Sequence, residues 1–152
     1  MEDCFEIVPI GLVKKTETAT WLEVFEKYQK GLLRLEEFSH VITLWWISGR
    51  DSKKDRQKLR VYPRVKLGPK QHKVDTPLCG VFATRAPVRP NPIGLTIAKI
   101  SHIEKNRVFI DRHDAFNDTP LIDLKPYIPK SDSIENVKLP TFFRGLAEKR
   151  EK

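Results

Sequence analysis

Residues 95–111, LTIAKISHIEKNRVFID, carry the pattern of two β-strands joined by a turn. Apolar and β-branched residues recur over 95–103 and 107–111, and the polar triplet at 104–106 separates the two runs. This arrangement is typical of an antiparallel hairpin. We therefore expect strands at 95–103 and 107–111.

Further strands are predicted on both sides of this hairpin. The run HVITLWWIS at 40–48 is β-branched and aromatic, which favours a buried strand. Weaker patterns predict strands or extended segments at 7–13, 80–84 and 121–127. Residues 21–35 fit both a strand and a helix, and we expect a short strand followed by a short helix that ends near Phe38. Thr141 is a candidate N-cap for a terminal helix over 141–150.

These elements place the chain in the mainly β class. Strands outnumber helices and several are linked by short turns, which is typical of a barrel or a sandwich with one or two short helices. A chain of 152 residues favours a single domain. The segment between residues 50 and 73 is expected to be a long loop with one short extended piece.

The positive charge of the chain is concentrated in that loop. Residues 50–73 contain ten Lys or Arg and two acids, so this segment carries the whole net charge of +8. Such a cluster indicates contact with a polyanion, and each phosphate contact would add salt-sensitive affinity. Two alternatives are a solvated loop that only aids solubility and an acidic membrane surface, although no amphipathic helix accompanies the cluster.

Several classes of protein are disfavoured. No apolar run approaches the length of a membrane span, and no signal-type run follows the N-terminus, so we expect a cytoplasmic protein with no membrane partner. No G-x-G-x-x-G or P-loop motif occurs, which argues against the dinucleotide and P-loop folds. Cys4 and Cys79 are too few for a disulfide framework, and no Cys/His spacing suits a metal.

The segment GVFATRAPVRPNPIGL at 80–95 is a candidate ligand site. Three prolines stiffen it, so that Arg85 and Arg89 project from a rigid track and can bind a carboxylate or a phosphate at low entropic cost. Asn91 can contact an amide or a base edge, and Gly94 allows close approach of a ligand to the backbone. The alternative is a proline-rich surface loop with solvated arginines.

The segment DRHDAFNDTPLIDLKPY at 111–127 is a second candidate. It places four carboxylates among Arg112, His113, Lys125 and Tyr127, and a carboxylate there can accept a ligand hydroxyl or amine. Asp123 and Lys125 fall on one face of a strand and can pair. The alternatives are a surface histidine at 113 and an ordinary turn at 118–120.

These segments resemble known motifs. GVFATRAPVRPNPIGL is similar to the hallmark of the TrmO-like family of tRNA N6-threonylcarbamoyladenosine methyltransferases, and NDTPLIDLKPYIP at 117–129 resembles that family's second motif. LEEFSH at 35–40, followed by an aromatic strand, resembles a third. The motifs occur in family order, and the resemblance extends from about Ile7 to Pro129.

The resemblance implies a compact β-barrel over 1–130, with a C-terminal extension over 131–152, usually assembled as a homodimer. It implies that the protein binds S-adenosylmethionine near the dimer interface and methylates threonylcarbamoyl-modified adenosine beside the anticodon of tRNA. By motif position, the implied cofactor-binding residues are Ser48, Gly49, Arg50, Arg85, Gly94, Leu95, Asp111, Arg112, His113 and Asp114.

The same resemblance suggests a nearby wall for substrate orientation or proton removal, formed by Asp123, Lys125 and Tyr127 together with Pro126, and no single base is singled out. The expected tRNA-binding cations are Lys53, Lys54, Arg56, Lys58, Arg60 and Arg89.

The sequence differs from the family pattern in two places. Asn117-Asp118-Thr119-Pro120 replaces the usual Asp-Gly-Thr-Pro, and the loop at 14–20 lacks the Pro/Gln-containing segment of longer members. Two other functions therefore remain open. One is a methyltransferase with the same cofactor and another RNA or small-molecule acceptor, and the other is a non-catalytic RNA-binding module.

Overall fold

The computed structural model of the protein describes residues 6–63 and 76–143. Within these residues three 3-10 helices are present, at Glu26–Leu32, Leu35–Glu37 and Val81–Ala83. The strands and the complete α-helices, in chain order, are β1 (Gly11–Lys15), β2 (Thr20–Val24), β3 (His40–Trp46), α1 (Lys53–Arg56), β4 (Arg60–Val61), β5 (Cys79–Gly80), β6 (Ile93–Glu104), β7 (Arg107–Ile110), β8 (Thr119–Pro126) and α2 (Pro129–Asp132).

Six of these strands form one antiparallel sheet in the order β1-β2-β7-β6-β3-β8. The order is closed, because β1 pairs with β8 as well as with β2. The predicted hairpin is present as β6 and β7, and Lys105 in its turn has a φ of 54°. The mainly β class with a few short helices is thus confirmed.

The interior of the closed sheet is filled by side chains that alternate along each strand, as the pleat requires. Val13, Leu22, Val41, Val108 and Leu121 are completely buried. Two polar residues, Thr43 and His113, are buried in the same interior. Buried polar groups need hydrogen-bond partners, so these two connect the core with the candidate site.

Strand β6 changes its partner along its length. Its first half pairs with β3 and its second half with β7, with a register irregularity between Ile100 and His102. After β7 the chain runs back beside the first half of β6, where the Asp111 N–H donates to the Lys99 carbonyl at 3.1 Å. We call residues 111–117 the return segment. Its position beside β6 brings the start of the second candidate segment, 111–127, next to the end of the first, 80–95.

A smaller cluster lies outside the closed sheet. Val61, Val81 and Val88 are buried together beside the two-residue strands β4 and β5. Arg56 on α1 donates from Nε to the Pro90 carbonyl at 2.8 Å. We call residues 50–63 and 79–90 the basic region, because they carry the described part of the charge cluster.

The structure corrects four predictions. The strand predicted at 80–84 is wrong, because only β5 is extended and the chain then turns so that Val81 enters the small core. Helix α1 lies inside the predicted loop, where the Ser52 hydroxyl accepts from the Asp55 N–H at 3.2 Å. The first strand begins at Gly11 rather than Ile7. The helix predicted to end near Phe38 is two 3-10 helices.

Some predictions fall outside the described residues. Residues 141–143 are helical, and the rest of the predicted terminal helix lies outside. The same holds for Cys4 and for the last four cations of the charge cluster. Within the described ranges, no helix combines the length and apolar character needed to cross a membrane. Over that same part of the chain, no group of three His, Cys, Asp or Glu side chains is arranged to hold a metal.

Candidate cofactor and nucleic-acid site

The indole of Trp45 organises the junction of β3 and β6. Its Nε1–H donates to the Thr96 hydroxyl at 3.2 Å. Gly94 pairs with Trp45 across the strands, and a Cβ added at Gly94 would lie 2.3 Å from the indole Cε2. Gly94 was predicted to let a ligand approach the backbone, but the structure fills that space with the Trp45 ring.

The Thr96 hydroxyl extends this junction to the return segment. Because its oxygen accepts from Trp45, its proton is free to donate to Asp114 Oδ2, 3.4 Å away. Asp114 is exposed, and its other oxygen makes no hydrogen bond to a described residue. A carboxylate held through one oxygen can offer the other to ligand hydroxyl or amine groups.

His113 anchors the return segment in the core. Its Nδ1 accepts from the Ala115 N–H at 3.0 Å, so its Nε2 carries the proton and donates to the Thr43 hydroxyl at 2.9 Å. Burial, followed by the charge of Lys15, lowers the pKa of His113 to about 4. The ring is therefore neutral near pH 7 and both nitrogens are used. The His113 side chain positions the segment and is not available to a ligand.

The other predicted cofactor-binding residues near β6 lie at the protein surface. Asp111 Oδ1 accepts from the Lys99 N–H at 2.8 Å, and Arg112 is exposed. Leu95 points away from the core and is 46% exposed. Gly94 and Leu95 lie on β6, and residues 111–114 run beside the same strand, so the structure brings these predicted cofactor-binding residues together.

Arg85 lies in a different setting. It lines a groove of about 720 Å³ together with three other cations, Arg50, Lys58 and Arg60. Ser48 and Gly49 lie in the exposed turn before Arg50, where Gly49 has a φ of 80°. The groove contains none of the return segment, so Arg85 and Asp114, both predicted to bind the cofactor, do not line this groove together. We call this feature the basic groove.

The candidate catalytic residues follow one another along β8. The Lys125 ammonium donates to Asp123 at 2.7 Å, which confirms the predicted pair, and this hydrogen bond raises the pKa of Lys125. Tyr127 follows the strand end, where its N–H donates to the His40 carbonyl at 3.1 Å and its ring packs edge-on against the imidazole of His40.

Between β8 and the return segment lies an apolar surface that the sequence reasoning missed. Leu44 pairs with Leu95, and Ile42 pairs with Ile97. Ile97 is 39% exposed although it is apolar. On the other side of β3, Leu44 pairs with Asp123 and Ile42 pairs with Lys125. We call Ile42, Leu44, Leu95 and Ile97 the outer apolar face. The apolar residues at alternate positions of both strands were the available signal.

Comparison with known proteins identifies the family. The sequence profile of the tRNA-methyltransferase O N-terminal domain matches residues 5–133. The chain belongs to this family. A probable S-adenosyl-L-methionine-binding protein of Methanocaldococcus jannaschii is 42% identical over 128 residues, which are 84% of this chain and 96% of that protein. The human tRNA (adenine(37)-N6)-methyltransferase is 38% identical over 119 residues, 77% of this chain but 24% of that enzyme.

The solved structures of TrmO share the fold. The crystal structure of TrmO from Pseudomonas aeruginosa superposes with a TM-score of 0.65 at 24% identity, over 90% of this chain and 62% of that one. A further crystal structure of TrmO gives a TM-score of 0.66 at 25% identity, over 90% of this chain and 64% of that one. The chain thus spans less than two thirds of these TrmO chains.

The structure explains how this family member tolerates Asp118 where Gly is usual. Asp118 has a φ of 64°, a conformation that favours Gly and admits Asp. Its carboxylate accepts from the Lys14 ammonium at 2.6 Å. Asn117 Oδ1 accepts from the Lys15 N–H at 2.8 Å, which ties the same turn to β1. Where glycine is usual, the side chain of Asp118 therefore makes a local ion pair with Lys14.

The short N-terminal loop of this TrmO-family chain is a tight turn. The Thr16 N–H donates to the Ala19 carbonyl at 2.9 Å, and the Thr16 hydroxyl accepts from the Ala19 N–H at 3.0 Å. The turn consists of residues 16–19, so the longer segment of other members is absent between β1 and β2.

Two of the predicted RNA-binding cations have structural partners. Arg89 donates from Nη1 to the carbonyls of Thr84 and Ala86, each at 3.3 Å, so it holds its own loop. Arg56 is bound to Pro90 through Nε. Lys53 and Lys54 are exposed, whereas Lys58 and Arg60 line the basic groove with Arg85.

Proposed function

We propose that this protein uses S-adenosylmethionine to methylate the N6 position of threonylcarbamoyl-modified adenosine beside the anticodon of tRNA. The observation that carries the proposal is the family match over residues 5–133, which includes both ligand motifs. Relatives that bear the same domain are named S-adenosyl-L-methionine-binding proteins and tRNA (adenine(37)-N6)-methyltransferases. The basic groove supplies the cationic surface that an RNA substrate requires.

The residues present fit this cofactor. Asp114 offers a free carboxylate oxygen for hydroxyl or amine groups, and its position is fixed through Thr96. Exposed Leu95 gives an apolar contact, and Arg85 offers a planar fork of donors for a carboxylate. When bound, S-adenosylmethionine would supply the methyl group on its sulfonium.

The chain's own residues would mainly orient the reactants. Methyl transfer needs no covalent enzyme intermediate, so holding the acceptor nitrogen in line is the principal requirement. The paired Asp123 and Lys125, with Tyr127 beyond them, offer acceptor and donor groups at the edge of the outer apolar face. We propose these three for substrate orientation and proton removal. Exposed Lys53 and Lys54 and the groove residues Lys58 and Arg60 would bind phosphates.

We further propose a homodimer formed through the outer apolar face. Four apolar side chains on adjacent strands favour burial against a partner. In such a homodimer we expect Arg85 of one copy to complete the cofactor site to which Asp114 of the other copy contributes. We also propose that residues 1–130 form the methyltransferase domain, with the closed sheet as its barrel, and that residues 131–152 form a C-terminal extension. The enzyme would act in the cytoplasm.

The tight turn at 16–19 favours a second candidate function. It replaces the segment that contacts the cofactor in longer members, so a non-catalytic RNA-binding module is the main rival. Titration calorimetry with S-adenosylmethionine separates the two, because the module would bind RNA without this cofactor.

A third possibility is a methyltransferase whose acceptor is another RNA or a small molecule. Comparing methyl incorporation into bulk tRNA with that into a small-molecule extract distinguishes it from the proposed function.

The decisive experiment is mass spectrometry of tRNA nucleosides from cells that lack the protein. We expect methylated threonylcarbamoyladenosine to disappear and the unmethylated form to accumulate. Purified protein and S-adenosylmethionine should then restore the methylated nucleoside in that tRNA. An unchanged nucleoside profile, or failure of the purified protein to restore it, would refute the proposed substrate.

A further inference from the structure

A crevice beside α1, separate from the basic groove, has the composition of a nucleobase site. It measures about 420 Å³ and is lined by Trp46, Arg56 and Asn91, with apolar walls that include Pro9, Pro120 and Ile122. No acidic residue lines it in the described part of the chain. A flat aromatic ring, a planar guanidinium and an amide are the groups with which proteins bind unpaired bases.

Trp46 and Arg56 are held in place before any ligand binds. The Trp46 indole N–H donates to Asp51 at 3.2 Å, and the Arg56 guanidinium carbon lies 5.8 Å from the centre of the Trp46 ring. Arg56 is held in turn by its hydrogen bond to the Pro90 carbonyl. Such preorganisation lowers the entropic cost of binding.

Asn91 is the group that can discriminate between ligands. It lies between Pro90 and Pro92, which restrict its backbone, and it is exposed. Its side-chain amide makes no hydrogen bond to a described residue, so both its donors and its acceptor remain available. An amide can hydrogen-bond the edge of a base, whereas the rest of the crevice provides flat and apolar contacts.

The position of the crevice indicates how the base is delivered. Arg50 and Lys58, which flank α1 in sequence, line the basic groove, while Arg56 on α1 itself lines the crevice. An RNA strand that crosses α1 can therefore place its phosphates in the groove and one base in the crevice. A continuous duplex cannot do so, because its bases are stacked and paired.

We propose that this crevice binds one unpaired base of the RNA substrate, a nucleotide other than the one that is methylated. The inference rests on the proposed function, since it deepens the description of the RNA partner. It assigns to Trp46, Arg56 and Asn91 a role in recognising the loop that carries the target adenosine. Phosphate contacts in the basic groove then provide affinity, and the crevice fixes the position of the RNA strand relative to the protein.

The test is an abasic scan of a synthetic anticodon stem-loop RNA. Each loop nucleotide other than the target is replaced in turn by an abasic one, and the dissociation constant is measured for the wild-type protein and for Asn91→Ala. In the wild type, one abasic position should weaken binding about tenfold. With Asn91→Ala the intact RNA should bind several-fold more weakly, and the penalty at that one position should largely disappear.

Gln57→Ala serves as the matched control, because it removes an exposed amide next to α1 that does not line the crevice. It should retain the wild-type abasic profile. Trp46→Phe, which keeps a ring for stacking, should retain the position of the penalty with reduced size. These two variants distinguish loss of a specific contact from general disturbance of the basic region.

Two outcomes would overturn the inference. One is an abasic profile that is identical for the wild type and Asn91→Ala. The other is competition with the cofactor: at saturating S-adenosylmethionine, the abasic position would no longer weaken RNA binding. That result would show that the cofactor, rather than a base, occupies the crevice. Either result leaves tRNA methylation intact, whereas failure of the proposed function would appear as absence of methyl transfer by the wild type.

Discussion

The return segment and the basic region carry the two halves of the candidate site, and they are held in place by different forces. The return segment is fixed from inside the closed sheet, where buried His113 bonds to the Thr43 hydroxyl and to the Ala115 N–H. The basic region rests on a core of three valines and on arginine bonds to backbone carbonyls. The first half depends on core packing, and the second on surface cations.

This difference shows that a count of positive charges overstates the capacity to bind RNA. Arg56 and Arg89 both use donors to bind neighbouring loop carbonyls, so part of the charge cluster stabilises the protein itself. Substitutions in the return segment should therefore change stability, whereas exposed lysines of the basic region should change RNA affinity alone. The following predictions test that separation, from the largest expected effect to the smallest.

Gly94→Ala should be the most destabilising change. Its Cβ would lie 2.3 Å from the Trp45 ring, which is fixed by its bond to Thr96, so the junction must shift. We expect a loss of about 3 kcal/mol in the free energy of unfolding, measured with urea. Gly31→Ala is the control, because nothing lies within 4 Å of its added Cβ, and it should change stability by less than about 0.5 kcal/mol. Equal effects of the two substitutions would contradict this account of the junction.

Acid should destabilise the protein through His113. Its pKa is about 4 in the fold and 6.5 ordinarily, so between these values the unfolded chain binds more protons. The stabilisation is present above pH 6.5 and is lost as the pH falls toward 4, by up to about 3 kcal/mol. His113→Gln should flatten this part of the stability curve. A variant whose curve parallels the wild type would show that His113 is not the group responsible.

Arg85→Ala should lower the catalytic efficiency of tRNA methylation by roughly ten- to hundredfold, because bonds to a charged group are worth about 1.5–3 kcal/mol. Stability should remain unchanged, since Arg85 is exposed. Arg85→Lys should recover only part of the activity, because an ammonium lacks the planar fork. Lys30→Ala, an exposed cation outside the basic region, is the control. Methylation by Arg85→Ala at the wild-type rate would remove Arg85 from the site.

Replacing Lys53, Lys54 and Lys58 together by Ser should weaken tRNA binding about tenfold at moderate salt. The slope of log affinity against log salt should become shallower by about 2, since each phosphate contact contributes about 0.7–0.9. Lys27, Lys30 and Lys130 replaced by Ser give a control with the same net charge. Should both triple variants lose affinity equally, overall charge rather than the basic region would be responsible.

The smallest effect is expected at Asp118. Asp118→Ala should destabilise the protein by about 1 kcal/mol, because Ala is disfavoured at a φ of 64° and the exposed ion pair with Lys14 is lost. Asp118→Gly should lie within about 0.5 kcal/mol of the wild type, as relief of backbone strain offsets the lost pair. Comparable losses in both variants would mean that the ion pair, not the backbone, dominates.

Local patterns in the sequence were sufficient for three strands of the main sheet, β3, β6 and β7. The hairpin of β6 and β7 and strand β3 were predictable because alternation, β-branching and a polar turn are properties of neighbouring residues. The pair of Asp123 and Lys125 followed from spacing along one strand. The family resemblance rested on motif residues and needed no coordinates.

Where local patterns were weak, tertiary packing decided the structure. The segment at 80–84 has strand-forming residues, yet it turns because Val81 is buried with Val88 and with Val61, and Val61 is distant in sequence. The bond between Thr96 and Asp114 joins residues 18 positions apart, and the one between Thr43 and His113 joins residues 70 apart.

The sequence by itself determined the mainly β class, the family and the residues that carry the motifs. Only the tertiary structure decided that His113 supports the fold, that Gly94 accommodates Trp45, and that Arg85 lies with the groove cations rather than with Asp114. The physical reason is that burial and hydrogen bonding depend on which distant strands pair, and no single segment of sequence encodes that pairing.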